Sequence, residues 1–456
     1  MAYRSLFLFI FNCFILVLSS CGEKTVFDYD EWREDAKDER WGPEQDPVSV
    51  TDTTDYCWPA DSLLHRKYSG VETARRRARQ LAEISWKPYA KVPSCYGSYP
   101  KNEVQEGIPY SLAYMTNTQV GTQVSLHTYM TALQNPYSVL YSEHLGKSPY
   151  NGSTDSATYY GTTCSSSVMY VLGIEPPYYT RMFGIIPGMK KAKEQDPSSI
   201  QLCDVLWKTG HVMLVYDIIR NADNEIVDVS LFETTTANQG DTRIRHLSYS
   251  DFVSYWEKYN VIRYQYAYLD QNTDYEISVF SPLEDEPALP YRYNYELCPT
   301  LGDRCSYLEG QTVRLAVVNQ SYPEIALYRN NELYRRIEVR YPLTSILDLP
   351  YGKYKACLVR DDFRSGYVRF EVLNAEAGAS LNGRVDIRFS SKNASPRYVS
   401  FCNSKGSPYN YYPISDEQRE NGLFEMKSIN STGASHYQVF FRGEYGVVAT
   451  PVKEIK

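Results

Sequence analysis

Three residues combine side-chain type and spacing in a way that suits covalent chemistry: Cys164, His211 and Glu233. A cysteine acts as a nucleophile only as its thiolate. A helix N-terminus and a nearby imidazole both favour that form. Cys164 falls where a helix should begin, directly after Tyr160-Gly161-Thr162-Thr163. His211 follows Gly210 and opens an apolar run, which would set the imidazole on a rigid sheet. Glu233 ends the next strand of the same hairpin. Antiparallel pairing would then bring its carboxylate to the ring, where it can orient and polarise the imidazole. The competing reading is structural, since lone cysteines of exported proteins are usually buried or disulfide-bonded. His65, His127, His144, His246 and His436 lack an equivalent strand context, and His127 is the nearest rival as base.

Elements that would position these groups can be read from periodicity. Val71, Ala74, Ala78, Leu81 and Ala82 recur at three- and four-residue steps and predict a helix over 70–86. Arg75, Arg76, Arg77 and Arg79 form its basic side, Glu72 suits its first turn, and Pro88 stops it. A solvated surface, or contact with anionic headgroups or polymer, would account for that basic side. Residues 125–133 read as a short helix, 151–161 as a loop, and 163–172 as a buried helix carrying Val168, Met169, Val171 and Leu172. His211–Ile219 and Ile226–Phe232 flank an Asp223-Asn224 turn and predict a β-hairpin, followed by a strand over 260–269. Beyond about 276 the helical signal disappears. Short β-rich runs at 312–318, 324–328, 354–359 and 367–372 suggest a sandwich. Further runs at 385–389, 422–429, 437–442 and 445–450 suggest a second small β domain.

The motifs around the three residues resemble a known superfamily. Gly161-Thr162-Thr163-Cys164-Ser165-Ser166-Ser167-Val168 is similar to the nucleophile helix of NlpC-type papain-like cysteine peptidases and related CHAP-type amidases. Gly210-His211-Val212-Met213-Leu214-Val215 resembles their base-bearing strand, and Glu233 stands in the place of their third, polar residue. Gly107-Ile108-Pro109-Tyr110 resembles a segment that precedes their nucleophile, which makes Tyr110 a candidate for positioning substrate or stabilising an oxyanion. The likeness spans roughly residues 70–270. Thr163 replaces the usual Asp, Ser111 and Leu112 replace a Gly-Gly pair, and the stretch between Tyr110 and Cys164 is long. The resemblance implies an α+β papain-like domain performing acyl transfer on an amide, with cell-wall peptides as the first substrate class. A catalytically inactive surface protein that binds glycan or protein through its β domains is the alternative. Amidation or deamidation of another protein is a third use of the same constellation.

The N-terminus suggests where such chemistry takes place. Arg4, the apolar stretch Leu6–Leu18 and the small residues Ser19 and Ser20 form an export signal. Leu18-Ser19-Ser20-Cys21 resembles a bacterial lipobox, which implies cleavage before Cys21 and a diacylglycerol on its thiol. The expected partners are therefore a lipid bilayer, through Cys21, and an extracytoplasmic peptide such as peptidoglycan. The expected location is the cell envelope, at the outer membrane or cell surface. Residues 22–55 hold 12 acidic and 4 basic residues and read as a solvated tether.

Composition narrows the classes further. The 456 residues carry a net charge of -8, which disfavours a nucleic-acid partner. The 43 tyrosines suit glycan or peptide contact, although burial in β-rich domains is the simpler account. Eight cysteines besides Cys13 and Cys21 are widely spaced, with no Cys-x-x-Cys pair and no convincing metal-ligand cluster. No cofactor is expected. Cys298 and Cys305 flank a Gly-Asp turn, so a disulfide between them is one option. The expected organisation is a signal at 1–21, tether at 22–55, papain-like α+β domain at 56–275, Ig-like β-sandwich at 276–374 and a second β domain at 375–456.

Overall fold

The computed structural model describes residues 70–455 except 95–96, 112–125, 143–159, 175–179, 187, 193–195, 238–239, 269–295, 382–383, 405–407 and 427–433. The signal, Cys21, the acidic tether and His65 lie outside the described residues, as does most of the 151–161 loop. Among the described residues no helix is long and apolar enough to cross a membrane.

The first unit is a six-stranded antiparallel sheet covered by helices on both faces. Helix α1 (Gly70–Glu83) buries Ala74, Ala78, Leu81 and Ala82, the positions set by its periodicity. It ends three residues before the expected limit, because Ser85 and Trp86 pair with Glu106 and Gln105 as a short strand. Helices α2 (Leu126–Gln134) and α3 (Cys164–Leu172) follow. The strands are β1 (Met189–Lys191), β2 (Asp204–Lys208), β3 (His211–Arg220), β4 (Ile226–Thr235) and β5 (Asp241–Ser248). Helix α4 (Tyr249–Trp256) and strand β6 (Asn260–Tyr264) complete the unit. Spatial order is β1-β6-β2-β3-β4-β5. The strand expected over 260–269 stops at Tyr264 and continues as a turn of 3-10 helix over Gln265–Tyr268.

Strand alternation explains the two faces. Val212 and Leu214 join Ala78, Leu81, Val168 and Met169 in one core, beneath α1 and α3. Met213 and Val215 join Phe252 and Trp256 of α4 in another. A strand buried on both faces must be apolar without alternation, which is why 212–215 is a continuous apolar run. The basic side expected on α1 is only partly solvated. Arg77 is buried and donates to the carbonyls of Tyr170 and Val171 at the end of α3. Arg75 bonds Tyr216 O and Asp217, and Arg79 pairs with Glu83.

Downstream the chain forms several open β-sheets. Strands β7 (Leu297–Pro299), β8 (Cys305–Leu308), β9 (Val313–Val317), β10 (Glu324–Arg329), β11 (Glu332–Glu338), β12 (Leu343–Ile346), β13 (Gly352–Arg360) and β14 (Val368–Leu373) make two facing sheets, β8-β14-β13-β10-β11 and β12-β9-β7. Strands β8 and β14 are parallel. Their core residues Leu315, Leu327, Leu358 and Phe370 belong to the same apolar cluster as α1 and α3. Hydrogen bonds cross the junction as well: Thr128 Oγ1 to Arg304 O, Asn135 Nδ2 to Pro299 O, and Tyr160 OH to Leu301 O at 2.7 Å. Cys298 and Cys305 are buried free thiols on different sheets, so the disulfide option is not realised.

The last unit contains β15 (Ala375–Leu381), β16 (Val385–Ser391), β17 (Ser395–Cys402), β18 (Pro408–Pro413), helix α5 (Asp416–Asn421), β19 (Leu423–Met426), β20 (His436–Arg442) and β21 (Val447–Ala449). These form the sheets β15-β16-β19 and β18-β17-β20-β21 around Val385, Val399, Phe401 and Val439. The run expected from Gly422 begins one residue later. Gly422 caps α5 with φ +63°, a left-handed conformation that side chains disfavour.

Candidate active site

The nucleophile candidate sits at the first position of α3. Thr163 is its N-cap: the side chain accepts from Ser166 N, and Ser166 Oγ in turn accepts from Thr163 N. This reciprocal pair satisfies two helix-end donors, so Thr does here what a capping Asp does elsewhere. At the other end Gly173 closes α3 and the Arg77 guanidinium covers its last carbonyls. Cys164 is thus held at the positive end of a helix capped on both sides. It is buried, with 6% of its surface exposed.

The segment before Cys164 is pinned by the Tyr110 strand. Ser111 N donates to Thr162 O and Thr162 N to Pro109 O, while Tyr110 N donates to Gly240 O. Gly161 sits at φ +95°, and a Cβ there would lie 2.6 Å from Ser111 Cβ, so the two segments touch only because residue 161 is glycine. Tyr110 is therefore a close neighbour of the residues leading into α3 and is half-buried.

His211 opens β3, as expected. The tight turn before it is latched from outside: Gly210 N donates to Thr180 Oγ1, and Trp207 Nε1 donates to Thr180 O. Glu233 does not end its strand. Strand β4 runs on to Thr235, and Glu233 lies inside it, 4% exposed. His211 Nε2 and Glu233 Oε2 are 3.5 Å apart. Tyr259 meets the ring edge-on at 6.4 Å.

Neighbouring charges shift two groups of this cluster. Burial acts against the imidazolium, but the Glu233 hydrogen bond and the influence of Cys164 and Glu233 outweigh it and push His211 up to about 9. Burial also works against the Glu233 carboxylate. The His211 hydrogen bond and the guanidinium groups of Arg245 and Arg243 override that effect and hold the carboxyl below its usual range. The site therefore favours a protonated ring beside an ionised carboxylate.

Sequence reasoning missed Arg243. It stands directly across from Glu233 in the β4–β5 register, and its Nε and Nη2 donate to Glu233 Oε1 at 3.1 and 3.0 Å. The alternation of Arg243 and Arg245 along β5 was the available signal, because it puts two cations on one face of the strand. His246 is engaged elsewhere, with Nδ1 2.7 Å from Ser230 Oγ. The His127 side chain lies outside the described residues. Among the described residues no group of three or more His, Cys, Asp or Glu is placed to hold a metal.

No protein-family model matches the chain, and neither does any curated protein. Some solved β modules are similar to part of it. Fibronectin(III)-like modules of Clostridium thermocellum CbhA match at 12% identity over 33% of this chain and 88% of that one, with a TM-score of 0.16. Murine CEACAM1b matches at 10% identity over 33% and 94%, with a TM-score of 0.15. At these scores the likenesses carry no argument about activity.

Proposed function

We propose that this protein is a cysteine acyl-transfer enzyme with a papain-like catalytic unit, lipid-anchored through Cys21 and acting on amide bonds of cell-envelope peptides, peptidoglycan first. One observation carries the reading: His211 Nε2 lies 3.5 Å from the buried Glu233 Oε2, and Cys164, at the start of α3, is among the groups that raise the ring's pKa.

In this mechanism the Cys164 proton already resides on His211 as an imidazolium, and the thiolate attacks the amide carbonyl. The oxyanion forms at the start of α3, where the Cys164 backbone N–H supports it. His211 then gives its proton to the leaving nitrogen, and the C–N bond breaks to leave a thioester. Water, deprotonated by His211, attacks the thioester; the C–S bond breaks and a carboxylate leaves. Glu233 stabilises the imidazolium and keeps the ring aligned throughout.

Iodoacetamide labelling read by mass spectrometry tests the reactive pair. Rapid labelling of Cys164 that slows at least tenfold in His211→Ala supports it, and equal slow labelling of both sinks it. Release of stem-peptide fragments from purified peptidoglycan, absent with Cys164→Ala, tests the substrate class.

A second reading is an inactive binding lipoprotein that presents its β modules to glycan or protein. The observation favouring it is strand β11, an exposed sheet edge with Leu333 and Tyr334 facing solvent at 52% and 37% exposure. Slow, His211-independent labelling together with peptidoglycan pull-down by residues 297–456 would select this reading.

A further inference from the structure

Glu233 can orient His211 only if its own carboxylate is fixed. A glutamate has three rotatable side-chain bonds, and nothing in the His211 contact alone holds both oxygens. The second oxygen is held from the next strand. Arg243 gives two N–H groups to Oε1 while Oε2 faces His211. Arg245 approaches the same oxygen through Nε at 3.6 Å, but its other nitrogens are engaged elsewhere. Its Nη1 donates to Tyr255 OH, its Nη2 rests on Met213 Sδ, and its guanidinium lies 4.4 Å from the Tyr255 ring centre. The two arginines thus bring similar charge to Glu233 but different geometry. Arg243 clamps the carboxylate, whereas Arg245 is tied to α4.

We propose that Arg243 is a positioning residue for the base: by holding Glu233 Oε1 with two N–H groups, it keeps Oε2 directed at His211. The proposal rests on the Cys164–His211–Glu233 reading. The register pairing of residues 233 and 243 supplies the rigidity, since opposite residues on adjacent strands keep their side chains on one face at short range. Other charged and titratable groups near the cluster include Cys164 at the start of α3, Lys208 at the end of β2 with Nζ 4.4 Å from the Tyr259 ring centre, Tyr259 itself, and Asp241 at the start of β5. Among the described residues, the hydrogen bonds to Glu233 Oε1 come from Arg243.

Charge and geometry predict opposite results when an arginine is removed. Loss of a nearby cation alone favours the imidazolium and raises the His211 titration point. Loss of the clamp frees the carboxylate to rotate away and lowers it. The test is NMR titration of the His211 ring in ring-labelled, full-length protein carrying Arg243→Gln, Arg243→Lys or Arg245→Gln. Positioning predicts a fall of about one pH unit for Arg243→Gln, partial recovery in Arg243→Lys, and no fall in Arg245→Gln. A rise or no change in Arg243→Gln overturns the proposal, as does an equal fall in both Gln variants. Should Arg243→Gln lose its native circular dichroism, Arg243→Lys decides: a value below wild type supports the clamp and an unchanged one overturns it. Iodoacetamide labelling of wild type and His211→Ala, run in parallel, separates this question from the first. A Cys164 that labels independently of His211 defeats the enzyme reading, whereas His211-dependent labelling with an unshifted Arg243→Gln ring defeats only the clamp.

Discussion

Glu233 Oε2 and His211 Nε2 lie 3.5 Å apart across two adjacent antiparallel strands, with only 5% of the Glu233 side chain exposed. A buried carboxylate at that distance acts on the ring through little intervening water. Glu233→Gln keeps the shape and removes the charge. His211 should then titrate about one unit lower, and Cys164 alkylation should fall several-fold near neutral pH, where the imidazolium supports the thiolate, while staying unchanged at alkaline pH. The measurement is the pH dependence of iodoacetamide labelling. An unshifted profile would show that Glu233 has no electrical hold on the ring.

The same coupling links stability to pH. His211 is raised from 6.5 to about 9, so the folded protein binds this proton more tightly than the unfolded chain. That contribution is fully present below about pH 6.5 and is lost as pH rises through about 9. After allowance for a ring that is 21% exposed, it amounts to about 2 kcal/mol. Urea unfolding of wild type and His211→Gln at pH 6 and pH 9.5 should show the gap between them closing at the higher pH.

Capping of α3 gives a separate handle on Cys164. Thr163→Ala removes the acceptor for Ser166 N and should cost about 1 kcal/mol. Thr163→Asp restores the acceptor and should recover most of that loss. Thermal unfolding measures the stability, and alkylation rates show whether the helix start also governs Cys164.

The downstream β-sheets are joined by a buried acid. Glu371 Oε1 accepts from Ser306 Oγ at 2.6 Å and Tyr445 N at 2.8 Å, and Oε2 accepts from Glu444 N at 3.1 Å. Glu371→Ala leaves those donors unpaired and should cost about 3 kcal/mol. Burial raises this carboxyl despite its hydrogen bonds, so the folded state holds the proton more firmly than the unfolded chain. The cost of ionising it sets in as pH climbs above the ordinary carboxylate range and eases as pH falls back into it. Limited proteolysis between the second and third units should quicken in the variant.

Tyr160 ties the approach to α3 to the second unit through its bond to Leu301 O. Tyr160→Phe should cost about 1 kcal/mol, since a buried carbonyl loses its donor. Slower Cys164 alkylation in this variant would show that the β-sheet unit supports the start of α3, and an unchanged rate would show that it does not.

Much of the local structure was legible because it rests on local rules. The α1 spacing of Ala74, Ala78 and Leu81 and the apolar run after Gly210 each lead directly to an element. Helix α5 escaped notice although its signals were present: Ser415 and Gln418 form a capping box and Gly422 closes the turn. At six residues, with no buried side chain, it offers no apolar period to read. Arg77 was misplaced for a related reason. Four arginines within five positions look like a solvated face, and only the docking of α3 turns one of them inward.

By itself the sequence determined the order Cys164, His211, Glu233, the helix start at Cys164 and the strand start at His211, because capping residues, glycine and apolar periodicity act over a few residues. The tertiary structure decided which groups meet. Register set Arg243 against Glu233, packing buried Arg77 beneath the end of α3, and the 300–304 turn reached Tyr160 from more than a hundred residues away. Such contacts depend on strand pairing and burial between distant segments, and no local spacing encodes them.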